Sequence, residues 1–144
     1  MHLTTFSDYS MRVMMYLGLQ RQSLVTIANI AQAYQISENH LTKVVHQLAQ
    51  RGYIETIRGK GGGMRLAKEP KDINLGKVLR ETEGGSGLLP CIDGEGDCCI
   101  MPACKLIRIL YEAQEALYQV LDKYTLADLL VNEAPLTRIL LPQQ

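Results

Sequence analysis

The sequence predicts a mainly α fold with a small β-hairpin wing, a winged helix-turn-helix followed by a long helix. Three observations predict it. Two short helical patterns, Ile27, Ile30 and Ala31 and then Leu41, Val44, Val45 and Leu48, flank a polar break at residues 35–37. Such apolar recurrence at steps of three and four residues marks helices with one buried face. Next, the strand-like stretches YIETIR and GMRLA are separated by Gly59, Lys60, Gly61 and Gly62, which predicts a hairpin. From Pro102 onward, Leu106, Leu110, Ala113, Leu117, Val120 and Tyr124 alternate four and three residues apart, the spacing of a coiled-coil seam.

Taken in order, the first helix runs from Thr5 to Gln20 and buries Phe6, Tyr9, Val13, Tyr16 and Leu17. The helix-turn-helix follows, with Ser37 placed to cap its second helix by accepting from an unpaired amide of the first turn. That helix ends near Gly52, and the hairpin after it forms the wing. Residues 74–83 make a short helix opened by Asp72 or Asn74 and closed by Gly84 and Gly85. A long helix with such a seam, placed after a small unit that has its own core, pairs with its copy or, as the alternative, packs only on its own chain. The seam of the last helix predicts pairing with a second copy, a dimerisation helix. The expected organisation is a winged unit over residues 1–83, a cysteine-rich loop over 84–104, and a dimerisation helix with its tail over 105–144.

The chain of 144 residues has zero formal net charge, but the charge is unevenly divided. Residues 37–68 carry Lys43, Arg51, Arg58, Lys60, Arg65 and Lys68 against Glu38 and Glu55, whereas the remainder beyond residue 68 is acidic. The positive potential lies where phosphate contacts would be sought. With the apolar face of the second helix turned inward, Asn39, His40, Lys43, His46 and Gln47 face outward. Asn and Gln suit adenine, Lys reaches guanine acceptors, and Ser37 at a helix N-terminus suits a phosphate. Arg58 and Lys60 at the wing tip suit the DNA backbone or a minor groove. Ser37, Asn39, His40, Lys43, Arg58 and Lys60 are the candidate DNA contacts, and double-stranded DNA is the expected partner.

Four cysteines lie between Cys91 and Cys104. The N-terminus lacks the basic start, apolar stretch and cleavage site of a secretory signal, and no apolar run is long enough to span a bilayer, so a cytoplasmic location is expected. Reduced thiols in that compartment favour metal binding over disulfides. Three thiolates spaced by six and then five residues can converge on one soft metal centre, the last at a helix start that stabilises thiolate. Adjacent Cys98 and Cys99 do not readily bind one iron atom together, which makes one of them a spare thiol. Spacing alone does not choose iron-sulfur over zinc, and plain free cysteines are the alternative to both. A catalytic site is not expected: no nucleophile and base are paired, and the glycines of residues 59–63 belong to a hairpin rather than a strand-to-helix phosphate loop.

The segments DYSMRVMMYLG, ISENHLTKVVHQL, RGKGGGMRL and CIMPACKL together closely resemble the NsrR family of nitric-oxide-sensing iron-sulfur repressors, within the larger group that includes IscR. The resemblance runs through nearly the whole chain. It implies a homodimer with one cluster per subunit, and matching the family's three-cysteine pattern selects Cys91, Cys98 and Cys104, leaving Cys99 outside. The histidine that IscR-like proteins carry three residues after the last cysteine is replaced by Ile107. The resemblance then points to Asp8 of the partner subunit as the fourth ligand, against the local alternatives of a Thr5-to-Asp8 capping box or an ion pair with Arg12. A 4Fe-4S cluster is favoured over 2Fe-2S. The implied mechanism is release of a pseudo-palindromic operator when nitric oxide displaces cluster ligands and frees helix one, spoiling a spacing of about 34 Å between recognition helices. Two other functions fit the same residues: a regulator sensing iron-sulfur supply or redox state, and an iron-sulfur electron carrier.

Overall fold

A computed structural model describes residues 2–85 and 87–142. Helix α1 (Thr5–Leu19) is the centre of the molecule. Its N-cap is Thr4, not the Thr5 of the capping-box alternative: the Thr4 hydroxyl accepts from the Ser7 amide, satisfying one of the unpaired amides of the first turn. Val13, Met14, Tyr16 and Leu17 are buried as the periodicity implies, but Phe6 and Tyr9 are only half-buried. The N-terminal part of the buried face is carried by Ser7 and Ser10 instead: the Ser7 hydroxyl bonds to Thr82 in the helix α4 (Leu75–Glu83), whereas the Ser10 hydroxyl is buried with no hydrogen-bond partner among the described residues.

Helices α2 (Ile27–Tyr34) and α3 (Glu38–Gln50) form the helix-turn-helix. Thr26 and Asn29 cap α2 reciprocally, and Gln35 ends it at φ 56°, in the left-handed region. The strands are β1 (Ile54–Ile57) and β2 (Gly63–Leu66), antiparallel with Ile54 opposite Leu66 and Ile57 opposite Gly63. Val25 adds a short third edge by exchanging both backbone hydrogen bonds with Met64, at 3.0 and 2.7 Å. A Cβ at Gly62 would collide with the carbonyl oxygen of Ile57, so the tip of the wing requires glycine there. Helix α4 (Leu75–Glu83) is capped by Asn74, not Asp72, and Gly84 closes it at φ 68°.

Short 3₁₀ turns at Pro90–Asp93 and Met101–Ala103 organise the cysteine loop, and the long helix α5 covers Lys105–Leu121. Pro102 lies in the preceding turn, so the helix starts at Lys105 rather than at Pro102, and Tyr124 falls beyond its end. Two further helices, α6 (Leu126–Leu129) and α7 (Glu133–Leu140), return the chain to α1. Leu126 is fully buried, its amide donates to the carbonyl of Ile73, and Leu140 and Leu141 join the same core.

Candidate functional site

Helix α3 buries Leu41, Val44, Val45 and Leu48 and leaves Asn39, His40, Lys43 and His46 exposed, as amphipathic spacing requires. Gln47 is half-buried and accepts from Arg51 at 2.9 Å, so it is engaged within the chain. Ser37 holds the N-cap position by its backbone but makes no side-chain capping bond. The expected cap is therefore absent, and the exposed hydroxyl stands beside the amides of a helix N-terminus.

The positive charges of residues 37–68 divide into two sets. Arg51 donates to Gln47 and to the Glu81 carbonyl, Arg65 is paired with Glu55 across the wing at 2.9 Å, and Lys68 lies 5.1 Å from the centre of the Tyr53 ring. Lys43, Arg58 and Lys60 are exposed and make no ion pair among the described residues. Uncommitted cations are the ones available to phosphates, since a paired cation must first give up its own carboxylate.

The cysteine loop is held lightly. Gly87 donates to the Asp93 carboxylate at 2.7 Å, Leu88 to the Gln114 side chain at 2.9 Å, and Met101 to the Cys98 carbonyl at 3.1 Å. Cys91 and Cys104 are half-buried and Cys98 and Cys99 exposed, all four as free thiols. Cys104 is the N-cap residue of α5. Among the described residues no three His, Cys, Asp or Glu side chains are grouped closely enough to hold a metal ion, so Cys91, Cys98 and Cys104 are not drawn together in the single chain. The donor set itself suits a soft, thiophilic centre: three accessible thiols with a helix N-terminus beneath the last.

Asp8 lies in the first turn of α1 and takes the second of its two local alternatives. Both its oxygens engage the Arg12 guanidinium, at 3.0 Å each. This contact, with the carboxylate's charge, raises the Arg12 pKa further above its ordinary value. Around it, sequence reading missed a polar joint between α1 and α4. The Thr4 amide and hydroxyl both donate to Glu83, at 2.9 and 3.0 Å, and the buried Ser7 hydroxyl donates to Thr82 at 2.8 Å. Partners 75 and 79 residues apart leave no periodic signal, although Ser7 on an otherwise apolar helix face marks a polar contact.

Residues 3–132 match the Rrf2 family, described as "Iron-dependent Transcriptional regulator". This chain belongs to the Rrf2 family. Its Rrf2 relatives include the HTH-type transcriptional regulator NsrR of Shouchella clausii, 48% identical over 97% of this chain and 95% of that protein. The NsrR regulator of Bacillus subtilis is 46% identical over 97% of each. Among solved structures, T. potens IscR superposes with a TM-score of 0.72 at 26% identity, covering 94% of this chain and 90% of that one. The cysteine regulator CymR of B. subtilis gives 0.67 at 30% identity, over 90% and 95%. The winged-helix fold and the resemblance to NsrR regulators within the IscR group both hold. As an Rrf2 protein this chain is a transcriptional regulator and not an enzyme. Among the described residues no helix is long and apolar enough to cross a membrane.

Proposed function

We propose that this regulator is a nitric-oxide-responsive repressor whose homodimer binds a pseudo-palindromic operator while it carries an iron-sulfur cluster, 4Fe-4S in preference to 2Fe-2S. Cys91, Cys98 and Cys104 of one subunit and Asp8 of the partner subunit would hold the cluster, which supplies iron open to attack by nitric oxide. Asn39, His40 and Lys43 would read base edges, while Ser37, Arg58 and Lys60 would hold phosphates. The observation that carries the reading is a loop of accessible thiols inserted in a chain similar to NsrR regulators over nearly its full length. The absence of a histidine at Ile107 favours a non-cysteine ligand from elsewhere, and Asp8 supports that role because its present partner, Arg12, is a half-exposed group on its own helix. Carboxylate is a weaker ligand than thiolate for iron-sulfur centres, which suits a sensor.

The test is anaerobic purification with iron and sulfide analysis, native mass spectrometry and DNA binding, before and after nitric oxide. The duplex probe is the one the protein selects from a randomised pool. The expected result is a brown dimer with about one cluster per subunit. Its DNA is released by nitric oxide but not by oxygen-free chelator alone. The Cys104→Ser variant should lose the cluster and Cys99→Ser should keep it. A colourless, zinc-loaded protein, or DNA binding indifferent to nitric oxide, defeats the sensor reading.

A further inference from the structure

Helices α1 and α3 face each other across a groove of about 310 Å³ lined by Thr5, Phe6, Tyr9, His40, Lys43 and Val44. One side of this groove is the end of α1 that carries Asp8; the other is the outward face of α3. The rings of Tyr9 and His40 meet across it, with centroids 6.3 Å apart and planes tilted by 39°. That is the separation at which tilted aromatic pairs attract.

Tyr9 is held from behind as well. The Arg12 guanidinium lies 6.0 Å from the centre of the Tyr9 ring and 5.6 Å from that of Tyr34 on α2, while bonded to Asp8. Cations over aromatic faces are attracted to them, so Arg12 joins α1 to α2 and steadies Tyr9 at once. His40, by contrast, is exposed, and an exposed side chain samples several rotamers that it must surrender on binding. A ring already resting against Tyr9 has surrendered part of that freedom beforehand, and such preorganisation strengthens a specific contact without adding a new one.

We infer that Tyr9 is a positioning residue for sequence recognition: its ring fixes the orientation of His40, so that α1 takes part in choosing the DNA sequence read by its own subunit. The inference rests on the proposed reading of bases by α3. It does not depend on which ligands hold a cluster or which signal releases DNA.

A double-mutant cycle tests it with the full-length protein prepared anaerobically. The variants are Tyr9→Leu, Tyr9→Phe, His40→Ala and the double variant Tyr9→Leu/His40→Ala. Affinity is measured for the duplex that the unaltered protein selects from a randomised pool and, separately, for the unselected pool. Tyr9→Leu should weaken the selected duplex about two- to tenfold, the range an aromatic pair contact supports, with the pool unchanged. Tyr9→Phe, which keeps the ring, should restore the preference. The double variant should be no worse than His40→Ala alone, since neighbours that act through one contact are not additive.

Additive losses, or equal losses on both probes, overturn the inference. So does a His40→Ala protein with unchanged sequence preference. If Tyr9→Leu does not fold, Tyr9→Met, which fills the same space without a ring, takes its place in the cycle and must lose the same preference. No nitric oxide enters the cycle, so a repressor deaf to it still shows the coupling. A nitric-oxide-responsive repressor without the coupling loses only this inference.

Discussion

The winged head and the arm formed by the cysteine loop and α5 both carry many apolar residues but dispose of them differently. In the head, α1 to α4, the wing and the returning α6 and α7 bury Val13, Met14, Leu17, Ile30, Leu41, Leu48, Ile73 and Leu126 in one cluster. Along α5 only Tyr118 is buried, and Leu106, Ile109, Leu117 and Val120 are exposed. Tyr118 packs with the Arg80 guanidinium 4.6 Å from its ring centre, and Arg80 also makes a two-bond ion pair with Asp122, so one face of α5 is fastened to α4. The expected seam lies beside that face: Leu106, Ala113 and Val120 are exposed, while Leu110 and Leu117 line a groove together with Leu79 and Tyr118. A head that satisfies itself and an arm that does not divide the labour: the first buries its apolar residues within one chain, whereas the second gains stability from whatever covers it.

The largest effect expected from this contrast concerns the return of the chain to the head. Leu126→Ala removes a fully buried side chain and should destabilise the protein by about 3 kcal/mol, as large-to-small substitutions in closed cores do. Denaturant unfolding measures it. Leu117→Ala, on the arm, should change the same transition by less than about 1 kcal/mol at concentrations where subunits are separate. If Leu126→Ala leaves unfolding of the helix-turn-helix untouched, the return segment is not part of the head in solution and the comparison fails.

A smaller effect sharpens the arm's side of the contrast. Val120 is 49% exposed and lies on the seam of α5, so Val120→Asp should leave the single chain folded. In a two-fold symmetric pair the substitution acts twice, placing two carboxylates at one contact. Subunit association, followed by sedimentation at several concentrations, should weaken by about tenfold or more, since an unpaired charge taken from water costs at least a kilocalorie per mole or two. Unchanged association would move the pairing surface off this seam.

The same contrast explains what could be read from the residues alone. The head was legible because its signals are local: apolar steps on α2 and α3, glycines at the wing tip, Asn74 as a cap. What escaped reading was non-local. The burial of Ser7 depends on Thr82, the true cap Thr4 is shared with Glu83, and α6 matters because Leu126 meets Ile73. The candidate DNA face was legible by type, and the structure added which cations are committed at home, a distinction set by Glu55, Glu81 and Tyr53. The cysteines were legible by composition, but their ligand pattern came from family resemblance. Metal ligands are gathered by the metal that binds them, so neither spacing nor a single chain supplies that arrangement.

The smallest effect is read through pH and belongs chiefly to the head, although burial also raises the Tyr118 phenol on α5. Tyr34, at the end of α2, is half-buried, and burial pushes its phenol up to about 12, opposed in part by the nearby Arg12 charge. Burial, with a hydrogen bond to Glu81, also raises the Tyr53 phenol. A phenol whose folded pKa exceeds the unfolded value of about 10 keeps its full contribution below that pH. As pH rises from about 10 towards 12 the unfolded chain ionises first, so stability falls. Tyr34→Phe removes one of these ionisations. It should flatten the decline above about pH 10 while changing stability near neutrality by less than about 1 kcal/mol. Because both phenols sit in the head, the same alkaline decline should appear in Val120→Asp, whose arm is altered and whose head is not. An alkaline limb that moves with Val120→Asp but not with Tyr34→Phe would mean that high pH acts on the arm, and that the head is less self-sufficient than its packing implies.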